Sequence, residues 1–179
     1  MLFIVIKAEE CLIWSNQVEI VMTKAHQYQT SLVWTGNKGS GTMDYRSYDR
    51  SYVISVNNKP DILGSSDSAF MGDKSRYNPE DLLVSSLSSC HMLWYLHLCS
   101  QNGIIVLDYK DNAIGKMTET DDGSGHFTEV ILNPEVTITK AEDIDKANSL
   151  HEKASKMCFI ANSCNFPIRH EAKYIIEKN

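Results

Sequence analysis

The sequence predicts an α+β chain in which antiparallel sheets surround one long buried central helix. Three observations carry this. Residues 78–101 (NPEDLLVSSLSSCHMLWYLHLCSQ) form one helical stretch, apolar nearly all round, with a start signal and a stop. Short β-branched and aromatic runs flank it on both sides, divided by Gly, Asn, Asp and Ser clusters. A second stretch, 143–157, carries Ile144, Ala147, Leu150, Ala154 and Met157 at helical spacing. At 179 residues with a hydrophobic share of 42%, the chain suits one domain or two small halves sharing a core.

The first 21 residues stand apart. LFIVI is too short for a signal-peptide core and meets Lys7, Glu9 and Glu10 at once. Met22 is followed by polar Thr23, Lys24, Ala25 and His26, like an ordinary cytosolic start. Residues 1–21 are therefore read as an N-terminal extension and 22–179 as a single domain. No segment reads as a membrane span of ~18 apolar residues.

Within the domain, 28–34 has strand composition, Gly36-Asn37-Lys38-Gly39 turns it into a second run at 42–48, and 52–56 alternates again. Residues 57–77 are a long polar connection. The central helix opens with Asn78 as N-cap, Pro79 in the first turn and the carboxylates Glu80 and Asp81; Gly103 stops it. Strands are expected at 104–110 and 113–118, and a long one at 127–139 after the Asp121-Asp122-Gly123 turn. Asp143 is expected to cap the second helix, 158–164 to form a short helix, and 168–177 to close the chain as a strand.

A net charge of −6 without a basic cluster argues against nucleic acid as a partner. The five cysteines form no CxxC and no zinc-finger spacing, which points to reduced thiols and a cytoplasmic location. A free cysteine is commonly a small buried hydrophobe, and Cys99 and Cys164 are read that way. Cys90 differs, because serines and His91 surround it at the centre of an apolar helix. Cys158, at the end of the second helix, meets Cys90 if the two helices pack together. Two unrelated core cysteines are the alternative. His91 and His97 lie at about 100° and 340° around the helix from Cys90, and each is expected to be buried and hydrogen-bonded to backbone. A metal site built from Cys90, His91 and Cys158 is disfavoured, since adjacent helical residues point different ways.

The stretch NPEDLLVSSLSSCHMLWYLHL, with Trp34-Thr35-Gly36-Asn37, Gly41-Thr42 and a second cysteine on the last long helix, resembles the OsmC/Ohr family of osmotically inducible and organic hydroperoxide resistance proteins. The resemblance runs from about residue 28 to 177 and is closest to the OsmC-like branch. It implies an OsmC-like fold in an intertwined homodimer and thiol-dependent reduction of organic hydroperoxides. Cys90 would be the peroxidatic thiolate and Cys158 the resolving thiol, with a lipoyl-type dithiol as reductant and no metal or organic cofactor. The alternative is a non-catalytic OsmC-like protein that binds a small apolar ligand or electrophile in the same pocket.

Peroxide attack requires a thiolate, and burial disfavours one. The resemblance assigns its stabilisation to an arginine held by the glutamate of the NPE motif, here Glu80. Ten helical residues, roughly 15 Å, separate Glu80 from Cys90. If both serve one site, Glu80 belongs to a second chain and the site lies across a dimer interface. The arginine has no clean counterpart: Arg50 is taken first, then Arg46, with Arg76 beside the cap as a third, and each also reads as a solvated surface charge. Phe159-Ile160 follow Cys158 where the peroxidases of the family carry Pro and an aromatic.

Overall fold

Asn78 sets the start of the longest element. Its side chain accepts the Asp81 N–H at 2.7 Å, and Asp81 returns the bond to the Asn78 N–H at 3.3 Å. This reciprocal cap, with Pro79 in the first turn, launches α1 (Pro79–Gln101). The helix ends where the Asn102 side chain bonds the Leu98 carbonyl and Gly103 takes φ +72°. The computed structural model describes residues 25–177, so the 1–21 extension and Cys11 lie outside it.

Three three-stranded sheets accompany α1. β1 (Ser31–Trp34), β2 (Tyr52–Ser55) and β3 (Ile62–Gly64) form an antiparallel meander. After α1 come β4 (Val106–Asp111), β5 (Ile114–Glu119), β6 (Gly125–Leu132) and β7 (Pro134–Ile138), then α2 (Ile144–Met157), β8 (Ile168–His170) and β9 (Lys173–Ile176). The second sheet has the order β4-β7-β9 and the third β5-β6-β8. β8 and β9 run parallel to β6 and β7, so these two sheets are mixed rather than purely antiparallel.

Several elements differ from expectation for local reasons. Residues 42–48 form turns, not a strand. Asn37 accepts the Gly39 and Gly41 N–H groups, and Asp44 accepts that of Arg46, so side chains satisfy backbone that a strand would have paired. The 57–77 connection contains β3 and a 3-10 turn at Ser68–Phe70. The single strand expected over 127–139 breaks at Asn133, whose N–H is taken by Asp111 at 2.7 Å, and Pro134 has no N–H to give. The break sends β6 and β7 to different sheets. The closing strand likewise divides into β8 and β9. Asp143 makes no side-chain cap; it ends a 3-10 turn, Ala141–Asp143, that leads into α2.

α1 is covered along one face rather than all round. Its buried residues are Leu87, His91, Tyr95, Leu98 and Cys99. The C-terminal half packs Tyr95 and Leu98 with Val136, Ile138, Ala147, Leu150 and Ala154. The N-terminal half packs Leu87 with Val130 and Leu132, flanked by Phe127, Phe166 and Ile168. By length and composition α1 would suffice to cross a membrane, contrary to the reading above. Its core face is instead occupied by the rest of this fold.

Candidate active site

The two packed helices bring Cys90 and Cys158 together. Cys90 is half-buried on α1, between the core face of Leu87, His91 and Tyr95 and the exposed row of Ser85, Ser89, Leu93 and His97. Cys158 is buried at the C-terminal end of α2, where its N–H donates to the Ala154 carbonyl at 2.9 Å. The two thiols are close enough for Cys90 to help raise the Cys158 thiol, and both cysteines are free.

The surroundings of Cys158 oppose each other. Burial pushes its thiol up to about 11, and the neighbouring Cys90 thiol adds to the shift. The Ala161 N–H, which donates to Cys158 Sγ at 3.4 Å, acts the other way. Near neutral pH the Cys158 thiol therefore keeps its proton.

Aromatic side chains border the pair. Trp94 lies one turn on from Cys90, and Phe159 follows Cys158; the rings meet edge to face at 5.9 Å. Phe159 is 65% exposed and Leu93 63% exposed, so the border is an open apolar ledge. Leu93, Trp94 and His97 line a cleft there of about 270 Å³.

Glu80 and the arginines lie elsewhere. Glu80 shares the α1 helix with Cys90 and sits at its first turn, in a depression lined by Tyr77, Val84, Ala113 and Phe127. Its charge helps to raise the Tyr52 hydroxyl, after burial. Arg50 donates to the Tyr48 carbonyl at 2.7 Å and to the Tyr45 carbonyl at 2.5 Å. Its guanidinium lies 4.1 Å and 4.4 Å from the centroids of the Tyr45 and Tyr48 rings. Arg46 is exposed. Arg76 pairs with Asp73 at 3.3 Å, and its buried Nη1 has no partner. Among the described residues, no hydrogen bond or ion pair joins Glu80 or these arginines to Cys90.

The histidines depart from expectation. His97 is exposed. His91 is buried, and it bonds to another side chain rather than to backbone: its Nε2 lies 2.8 Å from Nδ1 of His151. His170 stacks on both rings at 5.7 Å and 5.2 Å. Tyr95 stacks on His151 at 3.8 Å. Sequence reasoning passed over His151 and Ser155, although His151 follows Leu150 on the apolar stripe of α2. Among the described residues, no group of three or more His, Cys, Asp or Glu is arranged to hold a metal ion.

Residues 72–173 match the family model of the OsmC-like proteins. No curated protein sequence matches the chain. An OsmC-like protein of unknown function from Vibrio cholerae is 26% identical, with a TM-score of 0.76 over 83% of this chain and 100% of its own. An organic hydroperoxide resistance protein from Elizabethkingia anophelis is 17% identical, with a TM-score of 0.61 over 86% and 100%. The organic hydroperoxide resistance protein OhrB of Bacillus subtilis is 18% identical, with a TM-score of 0.58 over 82% and 98%. The last two likenesses concern the fold.

Proposed function

The chain belongs to the family of OsmC-like proteins, and on that premise we propose that it is a cysteine-based peroxidase that reduces organic hydroperoxides. The observation that carries this reading is that two packed helices bring the Cys90 and Cys158 thiols close enough for Cys90 to help raise the Cys158 thiol. A lone buried cysteine serves packing; two thiols in mutual contact form a couple that cycles between dithiol and disulfide.

In the proposed cycle the Cys90 thiolate attacks the terminal oxygen of R–O–OH. The S–O bond forms as the O–O bond breaks, and the alkoxide leaves and takes a proton to become the alcohol. Cys90 is now a sulfenic acid. The Cys158 sulfur attacks the sulfenic sulfur; hydroxide leaves and carries the Cys158 proton away as water. A dithiol such as a lipoyl group then restores both thiols by exchange and is itself oxidised to its disulfide. The Trp94–Phe159 ledge favours an alkyl or aryl hydroperoxide over hydrogen peroxide, since it offers apolar surface to R. A cytoplasmic location suits a couple that must be returned to the dithiol.

The thiolate needs a cation, and among the described residues none is hydrogen-bonded or ion-paired to Cys90. A homodimer supplies the remaining parts of the site in this reading: Glu80 and an arginine from a second copy lie beside Cys90 of the first. Arg76, with a buried and unpartnered Nη1 close to the start of α1, becomes a stronger candidate than Arg50. Arg50 already spends its donors on the carbonyls of its own loop.

Stopped-flow oxidation of the reduced protein by cumene hydroperoxide and by hydrogen peroxide tests the reading. Rapid stoichiometric thiol loss with the organic peroxide, ending in a Cys90–Cys158 disulfide by mass spectrometry, is expected. Cys90→Ser abolishes turnover with the fold kept, and Cys158→Ser leaves a single turnover. Oxidation by both peroxides no faster than a free thiol would overturn the assignment and turn attention to a bound apolar ligand at the same ledge.

A further inference from the structure

The proposed cycle makes no use of the two buried histidines that join α1 to α2. His91 on α1 and His151 on α2 are 1% and 0% exposed, stacked 3° from parallel, and bonded Nε2 to Nδ1 at 2.8 Å. The other nitrogen of His91 faces Ser155 Oγ at 3.5 Å. His151 Nε2 is buried without a partner. An orphaned N–H is costlier than an orphaned lone pair, and this assigns the tautomers. His151 Nδ1–H donates to His91 Nε2, His91 Nδ1–H points to Ser155, and only a lone pair stays unpaired.

This bond joins the two helices that carry the thiols, and it does so next to both. His91 follows Cys90 directly in α1. Ser155 lies in the last turn of α2, and its carbonyl, with that of Ala154, receives the Cys158 N–H. We propose that the His91–His151 hydrogen bond is a positioning device for the thiol pair: it holds the last turn of α2 against the middle of α1 and keeps Cys158 within reach of Cys90. The inference depends on Cys90 and Cys158 acting as a redox couple.

The pair is held neutral by what surrounds the imidazoles, and a first proton would go to the free lone pair of His151 Nε2 and leave the bond in place. Charge on either ring has no carboxylate to meet it. From α1 come Tyr95 and, behind it, Cys99; from β4 Tyr109; from β9 Tyr174; burial raises all four, so they stay neutral. β8 contributes His170, and the nearest acid, Glu152 of α2, lies 3.7 Å from His170 rather than from the pair. Burial accordingly pushes His91 down to about 4 and His151 to about 3, with the neighbouring imidazoles adding to it.

The test is the equilibrium of the intact protein with a glutathione redox buffer. Exchange moves two electrons and two protons from the protein dithiol to glutathione disulfide, forming one intramolecular disulfide and two molecules of glutathione, with no peroxide involved. Mass spectrometry of alkylated peptides reads the Cys90–Cys158 fraction. His91→Leu is expected to lower the disulfide equilibrium constant about tenfold, as fits one lost buried hydrogen bond. His91→Gln, whose amide oxygen can take the place of Nε2 as acceptor, is expected to keep it. Circular dichroism checks that each variant is folded. A His91→Leu constant equal to wild type, or a His91→Gln constant lowered as far as that of His91→Leu, would overturn the proposal. A wild-type protein that forms the disulfide here yet ignores cumene hydroperoxide would remove the peroxidase reading and leave the positioning device standing. Wild-type protein that forms no such disulfide would remove both.

Discussion

Every residue of β7 is buried or nearly so, whereas all four residues of β1 are exposed. β7 is the middle strand of its sheet, with β4 on one side and β9 on the other, and it packs under α1 and α2. β1 is an edge strand of a meander whose outward residues include Leu32 at 63% and Leu63 at 50% exposure. The first region is held by burial within one chain. The second, with the 36–50 loop beside it, is held by local bonds: Asn37 to two backbone N–H groups, Trp34 Nε1 to the Asp49 carbonyl at 2.8 Å, and Arg50 to two carbonyls. Gly36 belongs to this arrangement, since any side chain there would run into the Asp49 carbonyl. Among the described residues, nothing covers these apolar strand side chains.

The largest expected effect lies in the self-sufficient region. Tyr95 is fully buried, stacks on His151, and bonds the Tyr174 hydroxyl at 3.3 Å. Tyr95→Ala is expected to cost ~3–5 kcal/mol, read from the urea midpoint. An effect below ~1 kcal/mol would show that this core yields as readily as the β1–β3 sheet.

Acid attacks the same region. His91 and His151 titrate below the ~6.5 of an unfolded histidine. The unfolded chain therefore binds protons first as pH falls, and folding stability declines from about pH 6.5 down through the folded values of about 4 and 3. The contribution is fully present above pH 6.5. For His91 alone the loss approaches ~3 kcal/mol at the acid end. Urea titrations at pH 7 and pH 4.5 check the sign, and His91→Gln should flatten the difference.

What the sequence shows and hides follows the same division. The limits of α1 were legible because Asn78, Pro79 and Gly103 each satisfy a local backbone requirement. The facing of α1 was not, because an all-apolar helix does not say which of its sides its own chain covers. Cys90 stood out through its neighbours, and the meeting with Cys158 depends on how two helices pack, which no spacing determines. The break at Asn133 and the histidine stack stayed hidden for one reason. Asp111 takes the Asn133 N–H across 22 residues, and His91 finds His151 across 60. The 42–48 run was misread because β-like composition there is overridden by turn-forming Asn37, Asp44 and Ser47.

A smaller effect is expected at the helix start. Asn78→Ala removes the acceptor for the Asp81 N–H and the donor to Asp67 at 3.3 Å. The loss should be ~1 kcal/mol by denaturant melt, with Asn78→Asp restoring most of it. Because the cap also anchors the segment that carries Arg76, this variant is expected to slow peroxide reduction more than its stability cost alone accounts for.

The smallest effect on the folded chain is the one that puts the comparison itself at risk. Leu32 pairs with Ile54 through the backbone and exposes most of its side chain. In an isolated chain Leu32→Asp should change stability by ~0.5 kcal/mol or less, since a surface strand position has little packing to lose. In a dimer that buries β1, the same substitution places a carboxylate in an apolar contact and should drive the protein to monomer, read by sedimentation velocity. Peroxide reduction should fall with the dimer fraction, because Glu80 and its arginine would then leave Cys90. A variant that stays dimeric and active would mean that β1 faces water in the working protein. The uncovered apolar surface would then have to be closed by contacts on the exposed side of α1, through Ser85, Ser89 and Leu93.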